Sequence, residues 1–209
     1  MSPNFTVVLV GCILFTLPVV AFLRWRFGGA DTLVFVVVSG LFPAVMDFLS
    51  SFASRNYEYP GQSAAWVFTY IFFGWIGTCA SCMLVAEGIL SHPGQDMLTQ
   101  PRLWWEVPLL TTFIAVVLDL FIDPIAAAAG YWVWLVEGSA YYGIPLVNFV
   151  GWFVLMFLPP LAWIFIARQQ EWTVWKKLAA AFGVLLPLAA ASVLLFRTIL
   201  RLLEAFGLH

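Results

Sequence analysis

Residues Ala65–Leu90 read AWVFTYIFFGWIGTCASCMLVAEGIL, an apolar run in which Glu87 is the one charged side chain. A bilayer hydrocarbon core of about 30 Å is crossed by about 20 helical residues. Backbone polar groups in lipid must be satisfied within the segment, so such a run predicts a transmembrane helix. Five more stretches have the same character: Thr6–Leu23, Thr32–Ala53, Glu106–Ala128, Pro145–Ala167 and Trp175–Phe196, the last with Pro187 at its centre. A membrane β-barrel would show alternating segments of about ten residues, and none occur.

Composition agrees. Of 209 residues, 63% are hydrophobic and 10% charged, and mean hydropathy is +0.98. So few charges do not cover a water-soluble domain. The predicted fold is all-α: a polytopic bundle of about six transmembrane helices (five to seven), in one domain over residues 1–209. No basic residue precedes the first run and no small-x-small site follows it, so it predicts a retained helix. Loops one, three and five hold Arg24, Arg26, Arg102, Arg168, Lys176 and Lys177, whereas loops two and four hold only Arg55. The positive-inside rule then places the odd loops in the cytoplasm and the N-terminus outside. Arg197 and Arg201 run against that orientation. The expected location is an inner or plasma membrane, with membrane lipids as neighbours. A formal net charge of −2 and the lack of a basic patch exclude a nucleic-acid partner. Oligomeric state is left open, a homo-oligomer included.

Cys79-Ala80-Ser81-Cys82 has the spacing of a redox or metal pair. It lies among Gly74, Gly77, Thr78, Ala80 and Ser81, a run suited to close helix packing. No second pair completes a zinc site, so packing is the preferred reading. His92 and His209 read as solvated and make no metal site.

The chemistry concentrates in Leu118–Trp152, LDLFIDPIAAAAGYWVWLVEGSAYYGIPLVNFVGW. Gly130–Ile144 within it is too polar and aromatic for a free-standing span. It predicts a re-entrant or interfacial segment between helices four and five, the depth that Trp and Tyr favour. Charge is costly in lipid, so Asp119, Asp123 and Glu137 here, with Asp47 in the second span, are functional candidates. At 1.5 Å per residue, Asp47 lies about 22 Å and Asp119 about 20 Å from the cytoplasmic ends of their helices. Both therefore reach the outer half of the membrane. Asp123 is one turn beyond Asp119 on the same helical face. Loop two adds Tyr57, Glu58 and Tyr59 on that side, and loop four adds Glu137, Tyr141 and Tyr142. Glu87 belongs to the opposite side.

Each candidate also has a structural reading. Asp123 before Pro124 has the pattern of an N-cap with Pro at the first helical position. Asp119 and Asn148 fit hydrogen bonding between helices. Asp47 fits an ion pair with Arg55, and Glu137 a solvated loop position.

Burial disfavours the charged form of a carboxyl group, and a neutral acid in lipid can donate a proton to a lipid-soluble molecule. Aromatic faces stabilise a developing carbocation by cation–π attraction. A second, ionised carboxylate can take a proton from attacking water. These parts suit acid-initiated addition of water to an isoprenoid double bond. Mg²⁺ shared by Asp119 and Asp123 is a further use, disfavoured because no second acidic cluster or basic phosphate clamp accompanies them.

The same stretch resembles the carotenoid biosynthesis membrane-protein family, which includes carotenoid 1,2-hydratase-like and bisanhydrobacterioruberin hydratase-like enzymes. The family pattern appears as Asp119, Asp123-Pro124, Gly130-Tyr131-Trp132-Val133-Trp134, Gly138, Tyr141-Tyr142-Gly143-Ile144-Pro145 and Asn148-Phe149-Val150-Gly151-Trp152. Similarity is weaker from Phe42 to Trp75. There, family members carry a Glu followed by a Gly-rich, Thr-Gly-x-Pro-Phe-Gly-x-Tyr-like stretch. Here Asp47 stands for the Glu, Tyr57 or Tyr59 for the Tyr, and the Gly-rich part is missing. The resemblance implies a hydratase acting on the terminal double bond of a carotenoid-like isoprenoid, with no cofactor. Asp119 or Asp123 would donate the proton, and the other, or Asp47, would serve as base. Trp132, Trp134, Tyr141 and Tyr142 would line the pocket with Tyr57, Tyr59, Glu137 and Trp152, and Asn148 would orient water or a carboxylate. Proton-initiated cyclisation or isomerisation, and non-catalytic pigment or lipid binding, are the alternatives.

Overall fold

Gly28 sets the course of the N-terminal part of the chain in this computed structural model, which describes residues 4–207; His209 lies outside them. Helical backbone runs through α1 (Phe5–Phe35), a π-helical segment (Val36–Leu41) and α2 (Phe42–Phe52). At Gly28 it is interrupted by φ 83° and ψ 169°, a conformation glycine adopts without steric cost. Contacts on either side show the chain folding back. Phe5, Thr16 and Arg26 meet Tyr70, Phe73 and Glu87 of α3 (Ala64–Leu90), in rising order. Beyond Gly28, Gly40 and Phe48 meet Ile76 and Phe68, in falling order. Residues 5–27 and 29–52 are therefore antiparallel arms, each about 35 Å long and able to cross a membrane. Thr32 Oγ1 donates to the Gly28 carbonyl at 2.8 Å and closes the first turn of the second arm.

α4 (Leu103–Ala128), α5 (Leu146–Ala167) and α6 (Val174–Ala205) complete the bundle. Five helical elements are long and apolar enough to cross, the first being the 48-residue Phe5–Phe52. Because that element is two arms, six helical stretches are long enough to cross. This is the all-α membrane architecture predicted from the apolar runs. α6 continues past the predicted end at Phe196 to Ala205.

α3 packs against both arms and against α4, while α5 lies between α4 and α6. Gly77 allows a close approach of the first arm: a Cβ there would run into Thr16 and Phe15. Cys79 and Cys82 are buried free thiols on this packed helix.

On one side of the bundle, Gly130–Ile144 forms an interfacial segment, not a span. Its β2 (Val133–Trp134) pairs antiparallel with β1 (Tyr57–Glu58), setting Tyr57 opposite Trp134. Loops two and four are thus joined over the same end of the helices. On the other side, Arg26 Nη1 bonds Glu87 Oε2 at 2.7 Å, and Glu87 Oε1 accepts from the Met97 amide at 2.8 Å. Lys177 Nζ reaches Asp31 Oδ1 at 2.6 Å and the Ala167 carbonyl at 3.0 Å, all buried. Trp163 Nε1 donates to the Asp31 carbonyl at 2.8 Å. One ion pair therefore fastens the second arm to α5 and α6.

Two structural readings from the sequence are corrected here. α4 continues through Pro124 to Ala128, so Asp123 is inside the helix and is not an N-cap. The ring removes one i→i−4 hydrogen bond near the helix end, too little to break it. Asp47 does not pair with Arg55. α2 stops at Phe52, Arg55 turns outward at φ 54°, and its guanidinium lies 4.0 Å from Glu58.

Candidate functional site

The acid-bearing end of the bundle is built on α2, α3, α4 and α5. Asp47 follows the Pro43 turn of α2, where Trp75 Nε1 of α3 donates to its Oδ2 at 2.8 Å. The Tyr57 hydroxyl donates to the Asp47 backbone carbonyl at 3.1 Å, and Ser51 Oγ donates to the Tyr57 carbonyl at 3.0 Å. Loop two is thereby anchored on the helix that carries Asp47.

Asp119 has no exposed surface and Asp123 almost none. Both project from one face of α4, adjoining each other and Asn148. Asn148 Nδ2 donates to Asp119 Oδ2 at 2.6 Å. Asp119 Oδ1 and Asp123 Oδ2 have no partner among the described residues beyond the neighbouring carboxyl. Neither acid forms an ion pair with a cation among them. No three His, Cys, Asp or Glu side chains among the described residues are gathered to hold a metal.

Asp47 and Asn148 also line a cavity of about 400 Å³ between α2, α5 and α6, roofed by the β1–β2 ribbon. Tyr57, Trp75, Trp134 and Trp152 supply its aromatic walls. Trp75 and Trp152 lie 5.0 Å apart between ring centroids, and Tyr57 and Trp134 4.8 Å. Its size is at the lower end of ligand pockets, which run from about 300 to 1,000 Å³. The end group of a long isoprenoid fits such a volume; the whole molecule does not.

A second aromatic set flanks the acids. Tyr59 lies 5.9 Å from Trp132 and 6.2 Å from Tyr70, with Phe5 against both tyrosines. Burial, then the neighbouring Asp47 carboxyl, hold the Tyr59 hydroxyl well above its ordinary range, so it stays a protonated donor.

The structure brings Asp47, Asp119, Asp123, Tyr57, Tyr59, Trp132, Trp134, Asn148 and Trp152 to one end of the bundle. Asp119, Asp123, Tyr59 and Trp132, the last two expected to line the pocket, lie outside the cavity lining, and so do Glu137, Tyr141 and Tyr142, which are exposed, Tyr142 by 80%. Sequence reasoning missed Trp75, Tyr70 and Ser192. Trp75 and Tyr70 sit in the weakly similar stretch from Phe42 to Trp75, but nothing in it marks them off from packing aromatics. Ser192 lines the cavity from α6, a helix outside every motif.

The profile of the carotenoid biosynthesis protein family matches residues 4–207. The chain belongs to this family. Membership covers the whole helical bundle and gives this multi-pass membrane protein a role in carotenoid biosynthesis. Comparison with curated proteins and with solved structures gave no match.

Proposed function

We propose that this carotenoid biosynthesis protein is a hydratase that adds water across the terminal carbon–carbon double bond of a carotenoid-like isoprenoid. The observation that carries the reading is the division of the carboxyls around Asn148. Asp119 and Asp123 adjoin without a cation, and Asp47 stands apart on the cavity wall with Trp75. Two adjacent carboxyls with no counter-ion share a proton between them, which makes the pair the acid. Asp47, which accepts a hydrogen bond from the Trp75 indole N–H, is the base for water. The faces of Trp75, Trp134, Trp152 and Tyr57 stabilise the tertiary cation between the two steps. We place this end of the bundle, with the N-terminus, outside an inner or plasma membrane, following the clustering of Arg and Lys at the opposite end.

Cyclisation or isomerisation needs the same acid but a cavity that keeps water out. The polar lining contributed by Asp47, Ser50, Ser54, Asn56 and Asn148 favours hydration. The test is co-expression with a lycopene- or γ-carotene-producing pathway, with pigments read by chromatography and mass spectrometry. Hydration predicts a product heavier by one water that disappears in Asp119→Asn. A new product of unchanged mass would assign cyclisation or isomerisation. Bound but unchanged pigment would assign a binding role.

A further inference from the structure

The cavity beneath the ribbon has α5 at its back, with Leu49 of α2 on one flank and Val193 and Phe196 of α6 on the other. α6 packs on the π-helical segment that leads into α2, but makes no comparable contact with α2 itself. The flanks therefore part beyond that segment, and Leu49 and Val193, one on each side of the gap, are both exposed. Chain order grades the lining. Leu49 and Val193 lie deeper in the bundle than Ser54, Asn56 and Arg197, which line the cavity nearer the ribbon. The sideways opening is thus apolar where it faces hydrocarbon, and polar toward the membrane surface.

Gly151 sits in the middle of the cavity face of α5, one turn from Val147 and Asn148 on one side and from Val154 and Leu155 on the other. Inside a helix, glycine costs stability relative to alanine. A left-handed backbone or a neighbour too close for a Cβ would account for it. Neither applies: Gly151 has no positive φ, and a Cβ there would meet nothing within 4 Å. What the missing side chain leaves is room in the cavity, one turn from the Asn148 amide.

We infer that the cavity is entered from the bilayer between α2 and α6 by the end of an isoprenoid chain, and that Gly151 sets the girth of the group admitted. The inference deepens the proposed function and rests on it for the occupant; the entrance and the part played by Gly151 rest on geometry. Trp75 and Trp152 on the inner wall give the methyl-branched end flat apolar faces to lie against. A hydrocarbon reaches them without crossing the polar surface.

The experiment uses the full chain in lipid nanodiscs equilibrated with lycopene. Absorbance gives the pigment held per disc in excess over protein-free discs of the same lipid, and pigment products are followed on co-expression. Wild type is expected to hold an excess. Gly151→Leu, which fills the room, and Val193→Trp, which blocks the entrance, are each expected to cut it about tenfold. Leu194→Trp, on the neighbouring exposed residue outside the lining, is expected to leave it unchanged. No excess in wild type, or a full excess in folded Gly151→Leu and Val193→Trp proteins, would overturn the inference. An excess lost in both variants upholds it even where wild type forms no hydrated product, and that result would remove the hydratase reading alone. Hydration at the wild-type rate in both variants would overturn the entrance and leave the hydratase reading standing.

Discussion

Asn148 Nδ2 donates to Asp119 Oδ2 at 2.6 Å, tying the first turn of α5 to a carboxyl on α4 that has no exposed surface. On the proposed chemistry, the bond serves packing and catalysis together. An amide at Asp119 would still accept it, so the two roles separate on substitution. Asp119→Asn is expected to keep thermal stability near wild type while hydration falls about 10²–10⁴-fold, the usual contribution of a general acid. Unfolding curves and pigment yield measure the two effects. Activity retained in this variant would exclude Asp119 as the acid.

Asp47 gives a second separation. Asp47→Asn keeps an acceptor for Trp75 Nε1 but removes the proposed base. Asp47→Ala removes both, leaving the indole N–H unpaired at a cost of about 1–3 kcal/mol. Both variants are expected to lose hydration, but only the alanine variant should melt at markedly lower temperature.

The Lys177–Asp31 pair at the opposite end predicts a non-additive pair of substitutions. Lys177→Met strands a buried carboxylate beside Trp163 and is expected to cost about 3–5 kcal/mol. Lys177→Met combined with Asp31→Leu removes both charges and is expected to recover most of that loss. A double-mutant cycle by thermal unfolding reads the coupling. If the losses simply add, the ion pair is not what joins the arm to α6.

Gly28→Ala tests the fold-back. A side chain at φ 83° and ψ 169° is strained by about 1–3 kcal/mol. Gly29→Ala, one residue on in the second arm and with open space around it, is expected to change stability little. Equal melting temperatures for the two variants would place the reversal elsewhere.

Tyr59 supplies the pH dependence. Its hydroxyl is held well above the ordinary tyrosine range by burial, then by Asp47, Tyr70 and Asp123. A pKa raised on folding stabilises the protein below the unfolded value of about 10, and that stability is lost as pH rises beyond it. Tyr59→Phe is expected to flatten the fall in melting temperature above about pH 10. An unchanged slope would mean that the hydroxyl ionises without cost.

The spans were legible because lipid leaves the backbone no other choice over twenty apolar residues. The fold-back was legible only as a short loop. Nothing in the sequence shows that helix resumes immediately after Gly28, since the break is one residue's dihedral angles. Asp119, Asp123 and Asn148 could be placed together because helical spacing and neighbouring helices constrain them. Trp75 bonding Asp47 over 28 residues of chain could not, because that contact depends on how α2 lies on α3. Ser192 gave no signal at all, being one small residue in an alanine-rich helix. Tyr141 and Tyr142 carry the opposite lesson. A membrane interface attracts aromatic rings whether or not a ligand is near, so their density did not locate the cavity.

The small cavity under the ribbon has a consequence for counting. A symmetric polyene presents two identical ends, and a chamber that admits one end group leaves the remaining rod among the lipids. On the proposed chemistry, each end is a separate encounter, with release and re-entry between them. Half-processed molecules should then accumulate early and disappear late, in a ratio set by membrane diffusion and not by the acids.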